Sequence, residues 1–411
     1  MFASLQKCEA AGERIRVGLI GAGRIGLGIA WHIERTPGMD LVAVADLDDD
    51  AARTAAQAAG NDGIIVTQTD RILGDGAEPP FDVLVETSTA IGPAARLFED
   101  AITQGVHVVL MNAEVDLAAG PELAAAARQG VVLTSDAGDQ HGALMRMIDE
   151  IRLWGMEIVM AGNIKGYLDR YATAAGLAEE ARVRKLDPAQ CCGNTDGTKL
   201  AVEMALVANG AGLVPAVAGM QGPRADNVRE VLSHFNLEAC RDPGVVDYIL
   251  GAEPGGGVFV IGYCDHPLQA DYLSYYKMGD GPFYLFYRPY HLCHLETPWA
   301  IAAAVCHGES ILQPWAGRIT DVYAHAKRGI ATGKEIPYSI GGDQFYGLIE
   351  KTVDASPAKN VPIVALEADG DARSRIVRGL AKDQPLIWSD IELPPTELTR
   401  RVLARQETAD V

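Results

Sequence analysis

Short apolar runs alternate with alanine-rich segments of helical pattern along the first ~140 residues, which predicts a parallel sheet with helices on both faces. Strands buried on both faces read as continuous apolar runs, and six such runs occur: Arg16–Ile20, Leu41–Ala45, Ile64–Thr67, Val83–Glu86, Val106–Met111 and Val131–Thr134. Four segments between them predict helices: Ile25–Arg35, Asp49–Ala59, Ala94–Gln104 and Glu122–Gln129.

The pattern changes after about Gly142, where a predicted strand at Met156–Gly162 and a helix at Thr198–Asn209 are followed by an unusually aromatic stretch. Beyond Gln313, short strands separated by Gly and Pro turns predict a small β-rich module. The predicted fold class is therefore α/β, with three parts. They are a doubly wound Rossmann-type sheet in residues 1–140, an α+β domain in residues 141–315 and the β-rich module in residues 316–411.

Composition narrows the range of partners. The chain of 411 residues carries a formal net charge of −20, which argues against nucleic acid and anionic lipid as ligands, because both require a basic face. No apolar stretch is long enough to span a membrane. The seven cysteines include no CxxC pair, so they read as thiols of a reducing compartment. We expect a cytoplasmic protein that acts on a small molecule and forms a homodimer or a larger homo-oligomer.

The first predicted strand runs directly into the glycine pattern G-x-G-x-x-G and then into a helix, the arrangement that binds dinucleotides. In this pattern Gly21 makes the tight turn, Gly23 lets a diphosphate approach the backbone, and Gly26 lets helix and strand pack closely. Arg24 and Ile25 begin the helix, whose first N–H groups and positive dipole end attract the diphosphate.

An acidic residue, Asp46, ends the second predicted strand. A carboxylate at that place accepts hydrogen bonds from the ribose hydroxyls and repels a 2′-phosphate, so it favours NAD over NADP. The alternative interpretation is that Asp46 caps the loop before the next helix together with its acidic neighbours.

Polar residues also follow the next strand ends. Ligands of an open parallel sheet bind outside the carboxyl ends of its strands, so Thr87, Ser88 and Asn112 are predicted to line the nicotinamide pocket. Glu114 and Asp116 are candidates for an acid, a base or a metal ligand. Alternatively, they cap the helix that is predicted to follow them.

A second constellation lies in the α+β domain, where Asp196, Lys199 and Glu203 recur at helical spacing on one face. A lysine in the first turn of a helix meets the positive dipole end, which suits a residue that must exchange a proton with a hydroxyl or carbonyl. The alternative is an exposed ion pair between Lys199 and Glu203.

The order of these motifs resembles homoserine dehydrogenase and, more closely, the type II 1-deoxy-D-xylulose 5-phosphate reductoisomerase-like oxidoreductases. The shared motifs are Asn112-x-Glu114-x-Asp116, Gly138-Asp139-Gln140, Asp196-Gly-Thr-Lys199 and Tyr287-Arg-Pro-Tyr-His-Leu292 followed by Leu295-Glu296. Residues Asp321–Gly342 are similar to the C-terminal SAF-like module of those proteins. The resemblance extends over nearly the whole chain.

The resemblance implies an enzyme that moves a hydride between NAD or NADP and a small polar carbonyl or hydroxyl substrate. It implies that Lys199 is the catalytic lysine and that Asp196 orients it or the substrate. It also implies substrate contacts for a set of polar residues: Asp139, Gln140, Lys165, Arg288 and His291. Finally, it implies a divalent cation, Mg²⁺ or Mn²⁺, and a sugar phosphate as the substrate, with an isomerisation coupled to the reduction.

Three other functions remain open at this stage. The first is a homoserine dehydrogenase-type enzyme of amino-acid metabolism. The second is a lyase or cyclase that keeps NAD bound and uses it transiently, with no net change in NADH. The third is a dinucleotide sensor without catalysis, in which replacing Lys199 alters only local stability.

Overall fold

The computed structural model describes residues 1–74, 79–368 and 372–409. The first part of the chain alternates helices and strands up to a long helix. Its elements are α1 (Phe2–Ala11), β1 (Ile15–Ile20), α2 (Arg24–Ile33), β2 (Met39–Ala45), α3 (Asp49–Ala59), β3 (Ile65–Thr67), β4 (Val83–Glu86), α4 (Gly92–Thr103), β5 (His107–Leu110), α5 (Ala113–Ala126), β6 (Leu133–Ser135) and α6 (Gln140–Leu153).

The middle of the chain is mixed. Its elements are β7 (Glu157–Lys165), α7 (Ala178–Arg184), α8 (Pro188–Thr195), α9 (Thr198–Ala211), β8 (Val214–Pro215), α10 (Val231–His234), β9 (Val245–Leu250), β10 (Val258–Tyr263), α11 (Pro267–Tyr275), β11 (Phe283–Arg288) and α12 (Cys293–Ala302). The last part holds short strands and two helices: β12 (Thr320–Ala326), β13 (Glu335–Ile336), β14 (Phe345–Lys351), α13 (Thr352–Ala355), β15 (Ser374–Ile376), β16 (Ile391–Glu392) and α14 (Glu397–Ala409).

The chain divides into two compact units. Unit 1 comprises residues 1–142 and 292–313, and unit 2 comprises residues 143–291 and 314–411. The sheet of unit 1 has the order β3-β2-β1-β4-β5-β6 with every pairing parallel, as the continuous apolar runs predicted. The predicted α/β class with a doubly wound parallel sheet is confirmed.

The chain returns to unit 1 after unit 2 has begun, which the sequence did not predict. The segment is α12 and the turns after it, and its residues Ala300–Ala303 and Ile311 share one hydrophobic core with Val17 and Ile29. Small alanine side chains let α12 pack closely on α2, and the burial of this apolar face holds the segment in unit 1.

Unit 2 is built on a mixed five-stranded sheet of order β11-β10-β7-β9-β8. In it β7 pairs with β9 in parallel, whereas β10 is antiparallel to both β7 and β11. The antiparallel pair β12–β14 and the small sheet β13-β15-β16 make up the β-rich part of the chain.

The β-rich part was predicted as a separate module from residue 316, but here it belongs to the same unit as the mixed sheet. One buried side chain on α9 bonds twice to β12: Asn209 Nδ2 donates to the Thr320 carbonyl at 3.1 Å, and its Oδ1 accepts from the Thr320 N–H at 2.9 Å. Sequence patterns report local periodicity and carry no information on such contacts between distant segments. Among the described helices, none is both long and apolar enough to cross a bilayer.

Candidate coenzyme and substrate sites

The glycine-rich turn of unit 1 has the geometry of a diphosphate cradle. Gly21 adopts φ +85°, and a Cβ there would lie 2.7 Å from the Ser88 nitrogen. A Cβ on Gly26 would overlap the Gly21 carbonyl oxygen, so only glycine lets α2 pack against the turn. Gly23, by contrast, has no atom within 4 Å of a built Cβ, and this open space lies at the first turn of α2.

The start of α2 carries no side-chain cap, because Gly23 holds the N-cap position before Arg24. The first N–H groups of a helix have no partner within the helix, and together with the dipole they favour an anionic group. The open space beside Gly23 and these N–H groups therefore fit a dinucleotide diphosphate.

Asp46 lies at the end of β2 beside a cavity of about 520 Å³, whose lining includes Leu47, Gln68, Thr69 and Arg96. Its Oδ2 accepts from the Ala22 N–H at 2.6 Å and its Oδ1 from the Asp48 N–H at 2.9 Å, so the carboxylate has a fixed orientation. The helix that follows is capped by a different residue, since Asp48 accepts from the N–H groups of Asp50 and Ala51.

Asp46 thus fixes the loop after β2 and also lines the cavity. The structure is therefore compatible with both interpretations of the sequence, a loop-fixing residue and a ribose-binding carboxylate. Leu47 is 95% exposed beside the same cavity, so its apolar side chain is accessible for packing against a flat ring. The cavity has the size and the mixed lining expected for the adenosine end of a dinucleotide.

Three predicted residues, Thr87, Ser88 and Asn112, come together at the carboxyl ends of β4 and β5. The Thr87 hydroxyl donates to the carbonyls of Ile20 and Gly21, at 2.9 and 2.6 Å. Asn112 Nδ2 donates to the Ser88 carbonyl at 3.0 Å. These bonds attach the end of β4 to the glycine turn and to the start of α5.

Two buried carboxyl groups lie in the same region. Glu86 ends β4 and Asp136 follows β6, and both side chains are fully buried. Burial raises the pKa of the Glu86 carboxyl to about 8 and that of the Asp136 carboxyl to about 7. A charged residue closing the apolar strand Val83–Glu86 was the only signal that the sequence offered for Glu86.

Glu114 and Asp116 occupy the first turn of α5, which begins at Ala113, so the predicted helix start at Glu122 was wrong. Asn112 causes the earlier start, because its Oδ1 accepts from the Val115 N–H at 3.2 Å and caps the helix. Acidic residues stabilise this end of a helix, which supports the capping interpretation.

Of these two residues, the buried Asp116 is poorly suited to a hydrated Mg²⁺ or Mn²⁺. Asp116 is 4% exposed, and its Oδ2 accepts a hydrogen bond from the Ser135 hydroxyl. Mg²⁺ usually keeps several waters, for which a carboxylate buried in this way leaves no room. Asp116 therefore does not fit the divalent cation that the resemblance implies.

In unit 2, Lys199 is half-buried in the first turn of α9, as the sequence predicted. Asp196 was expected on the same helix, but it lies before α9, and Gly197 at φ +87° separates it from Thr198. Its Oδ1 accepts from the Thr198 N–H at 2.8 Å, so Asp196 fixes the start of the helix from outside.

Asp196 has a buried cationic partner, Lys327, which the sequence did not single out. Lys327 Nζ lies 2.8 Å from Asp196 Oδ2 and donates to the carbonyls of Ala172 and Gly342, both at 2.8 Å. Burial raises the pKa of the Asp196 carboxyl, and the adjacent ammonium group opposes that shift. Because Lys327 is 131 positions further along the chain (327 − 196), local spacing gave no signal for this pair.

The remaining predicted substrate residues belong to different units. Asp139 and Gln140 are in unit 1, whereas Lys165, Arg288 and His291 are in unit 2. Lys165 ends β7 and Arg288 ends β11, with β10 between these two strands. The Arg288 guanidinium lies over the Tyr290 ring, 4.8 Å from its centroid.

Two family models match the chain in adjacent segments. Residues 21–133 match the NAD-binding domain of homoserine dehydrogenase, and residues 138–297 match the model described as oxidoreductase DRL, catalytic domain. A search of curated proteins finds no significant match. The family models, with the parallel sheet and the glycine turn, show that the chain is an NAD(P)-dependent oxidoreductase.

Many solved structures are similar at low identity. A probable dehydrogenase from Thermotoga maritima is 12% identical with a TM-score of 0.46, and the match covers 74% of this chain and 92% of the other. GenD2 from gentamicin A biosynthesis, in complex with NAD, is 14% identical with a TM-score of 0.40, covering 72% and 87%. Scyllo-inositol dehydrogenase from Lactobacillus casei, with NAD(H) and scyllo-inositol, is 14% identical with a TM-score of 0.37, covering 61% and 73%. At this low similarity, the substrates of these proteins do not indicate the substrate of this chain.

Proposed function

We propose that this oxidoreductase moves a hydride between NAD and a carbon of a small polar substrate that carries a hydroxyl or carbonyl group. The observation that carries the proposal is the uncapped start of α2 beside Gly23, with the Asp46 carboxylate held in place at the end of the adjacent strand. When bound, the nicotinamide supplies or accepts the hydride. The residues of the chain bind the coenzyme, orient the substrate and move the proton.

Asp46 supports NAD as the preferred coenzyme. Its two oxygens already accept backbone N–H groups, and their remaining lone pairs suit ribose hydroxyls but repel a 2′-phosphate. Replacing Asp46 with Ser should weaken NADH binding about tenfold and leave NADPH binding unchanged or stronger. Fluorescence titration with both coenzymes measures this, and Asp48→Asn, which keeps a capping residue on α3, is the matched control.

For the proton we propose Lys199, in the first turn of α9, with Asp196 as the residue that fixes this turn. Lys199→Met should lower kcat about a hundredfold or more while NADH binding stays unchanged, because Gly23 and Asp46, which carry the coenzyme proposal, are unaltered. The assay is a screen of carbonyl and polyol compounds, some of them phosphorylated, followed at 340 nm with NADH and NADPH. Turnover without net change in NADH would instead favour a lyase or cyclase.

The particular substrate, the coupled isomerisation and the SAF-like fold of the β-rich part are also proposals. The motifs shared with reductoisomerase-like oxidoreductases support a sugar phosphate as substrate, with an isomerisation coupled to reduction, and they support a SAF-like fold for the β-rich part that contains β12 and β14. Product analysis by NMR after reduction with deuterated NADH distinguishes a rearranged carbon skeleton from simple reduction. An unrearranged product would contradict the coupled isomerisation.

A homo-oligomer is supported by aromatic side chains that remain exposed around α11. Tyr272, Tyr275 and Tyr276 are exposed, although Tyr284 of the same aromatic stretch is fully buried. Aromatic surface of this kind is common at protein interfaces. Light scattering on the purified chain tests the proposal, and a monomeric mass at micromolar concentration would contradict it.

A further inference from the structure

Unit 2 contains a second cavity, of about 270 Å³, at the start of α9. Its lining includes Arg170, Tyr171, Asp196, Gly197, Tyr248 and Gly347, all of them within unit 2. We propose that this cavity is a small-oxyanion site that holds the carboxylate or phosphate group of the substrate. The inference rests on the proposed function and names its substrate class.

Arg170 supplies the charge. Its guanidinium lies 5.1 Å from the centroid of the Tyr346 ring, and among the described residues it forms no ion pair. Arg170 is solvent-exposed and also lines the cavity, so a ligand that arrives from solvent can reach its guanidinium. Arg170 is therefore available to a ligand.

The one carboxylate in the lining does not oppose an anion. Asp196 Oδ2 lies 2.8 Å from Lys327 Nζ, and both side chains are buried, so the pair is electrically neutral to its surroundings. The Asp383 carboxylate accepts the hydroxyl groups of Tyr171 and Tyr346 at 2.9 and 3.0 Å and does not line the cavity. Of the two charged side chains in the lining, Arg170 is the one with no ion-pair partner among the described residues.

Further donors converge on the same space. Gly197 holds the N-cap position of the fourteen-residue helix α9 and lines the cavity, so the positive end of the helix dipole lies beside this space even though Asp196 accepts the Thr198 N–H. The hydroxyl of Tyr248, whose pKa burial raises, keeps its proton and can donate a hydrogen bond. A guanidinium, a phenol and a helix start are the groups that bind carboxylates and phosphates in proteins.

The size of the cavity limits the ligand. At about 270 Å³ it lies below the usual range of cofactor sites, so it is too small for a nucleotide and large enough for a compound of a few carbon atoms. Asp196 lines the cavity and also accepts the N–H of Thr198, the residue before Lys199, so the cavity adjoins the turn that carries the proposed proton donor. The site therefore selects small hydroxy or oxo compounds that bear one oxyanion.

Calorimetry with inorganic phosphate and, separately, with malonate tests the site without any knowledge of the substrate. We expect at least one of the two anions to bind wild-type protein with a millimolar Kd that weakens with added salt. Arg170→Gln should weaken that binding at least tenfold, because hydrogen bonds to a charged group are lost. Arg229→Gln, an exposed arginine of the same unit outside the cavity, should leave it unchanged.

Binding of neither anion, or equal binding by wild type and Arg170→Gln, would overturn the proposal. Binding of phosphate alone assigns a phosphorylated substrate, and binding of malonate alone assigns a carboxylic acid. NADH titration of the same three proteins separates this result from the proposed function. NADH should bind all three equally, because the proposed coenzyme contacts at Gly23 and Asp46 are unaltered, and a failure to bind in all of them contradicts the coenzyme assignment alone.

Discussion

At the scale of single residues, Lys327 shows how one buried charge depends on another. Its ammonium group makes an ion pair with Asp196 and donates to two carbonyl groups, all inside unit 2. A buried ion pair adds little net stability over an apolar pair, but removal of one partner leaves an unpaired charge in a medium of low polarity.

Lys327→Met should therefore lower the free energy of unfolding by about 3–5 kcal/mol. Urea denaturation followed by circular dichroism measures this loss. The double variant Lys327→Met with Asp196→Asn should recover a substantial part of it, because it removes the unpaired charge. A double variant no more stable than the single one would show that the carboxylate is not the source of the loss.

Glu86 gives a prediction about pH, since burial raises the pKa of its carboxyl to about 8 from an ordinary value of 4.5. The folded state then binds more protons than the unfolded state between these two values, so the contribution of Glu86 to stability falls as pH rises through this window. Glu86→Gln removes the ionisation and keeps an acceptor for the Ser88 N–H.

Without coenzyme, the free energy of unfolding of Glu86→Gln minus that of wild type should increase by on the order of 3 kcal/mol as the pH rises from 4.5 to 8. Denaturation midpoints across this range provide the measurement. Asp70→Asn, at an exposed position, is the control and should follow wild type at every pH. A constant difference between Glu86→Gln and wild type would contradict the burial argument.

At the scale of elements, the start of α2 separates two roles that glycine plays in one short motif. Gly26 serves packing, because any Cβ there overlaps the Gly21 carbonyl, whereas Gly23 at φ −65° has no atom near a built Cβ. Alanine tolerates that φ value, so Gly23→Ala leaves the protein unstrained and places a methyl group only in the space of the proposed diphosphate.

Gly23→Ala should keep the wild-type Tm and weaken NADH binding about tenfold or more, while Gly26→Ala should lower both the Tm and the affinity. Thermal unfolding and fluorescence titration of the two variants supply the comparison. If Gly23→Ala bound NADH as wild type does, the diphosphate would lie elsewhere.

At the scale of the whole molecule, the β-rich part is bound into unit 2 through contacts with α9. The buried Asn209 amide bonds to Thr320 on β12, the Gly347 N–H on β14 donates to the Thr198 hydroxyl at 2.9 Å, and Lys327 reaches Asp196. The start of α9, where Lys199 and the small-oxyanion site lie, is therefore held by residues more than a hundred positions away.

A chain truncated after Gln313 should lose the cooperative unfolding of unit 2, since it exposes the apolar face of α9 and leaves Asp196 without its partner. Hydrogen exchange of the α9 amides measures the effect, with the amides of β1 in unit 1 as the internal reference. Equal protection of α9 in the truncated and full-length chains would mean that the β-rich part is an independent domain.

Amino-acid order alone was sufficient for the parallel sheet, for the glycine turn and for the position of Lys199 in a first helical turn. These features are local: an apolar run, a tight turn and a helix start each depend on residues within a few positions of one another. The strand ends that carry Thr87, Ser88 and Asn112 followed from the same patterns, because parallel strands place their carboxyl ends at one edge.

Tertiary structure alone decided which distant segments meet. It paired Asp196 with Lys327, returned α12 to unit 1, joined the β-rich part to α9 and placed Arg170 at a cavity of unit 2. The physical reason is that burial and long-range pairing depend on how the whole chain packs, whereas periodicity and spacing record only what neighbouring residues favour.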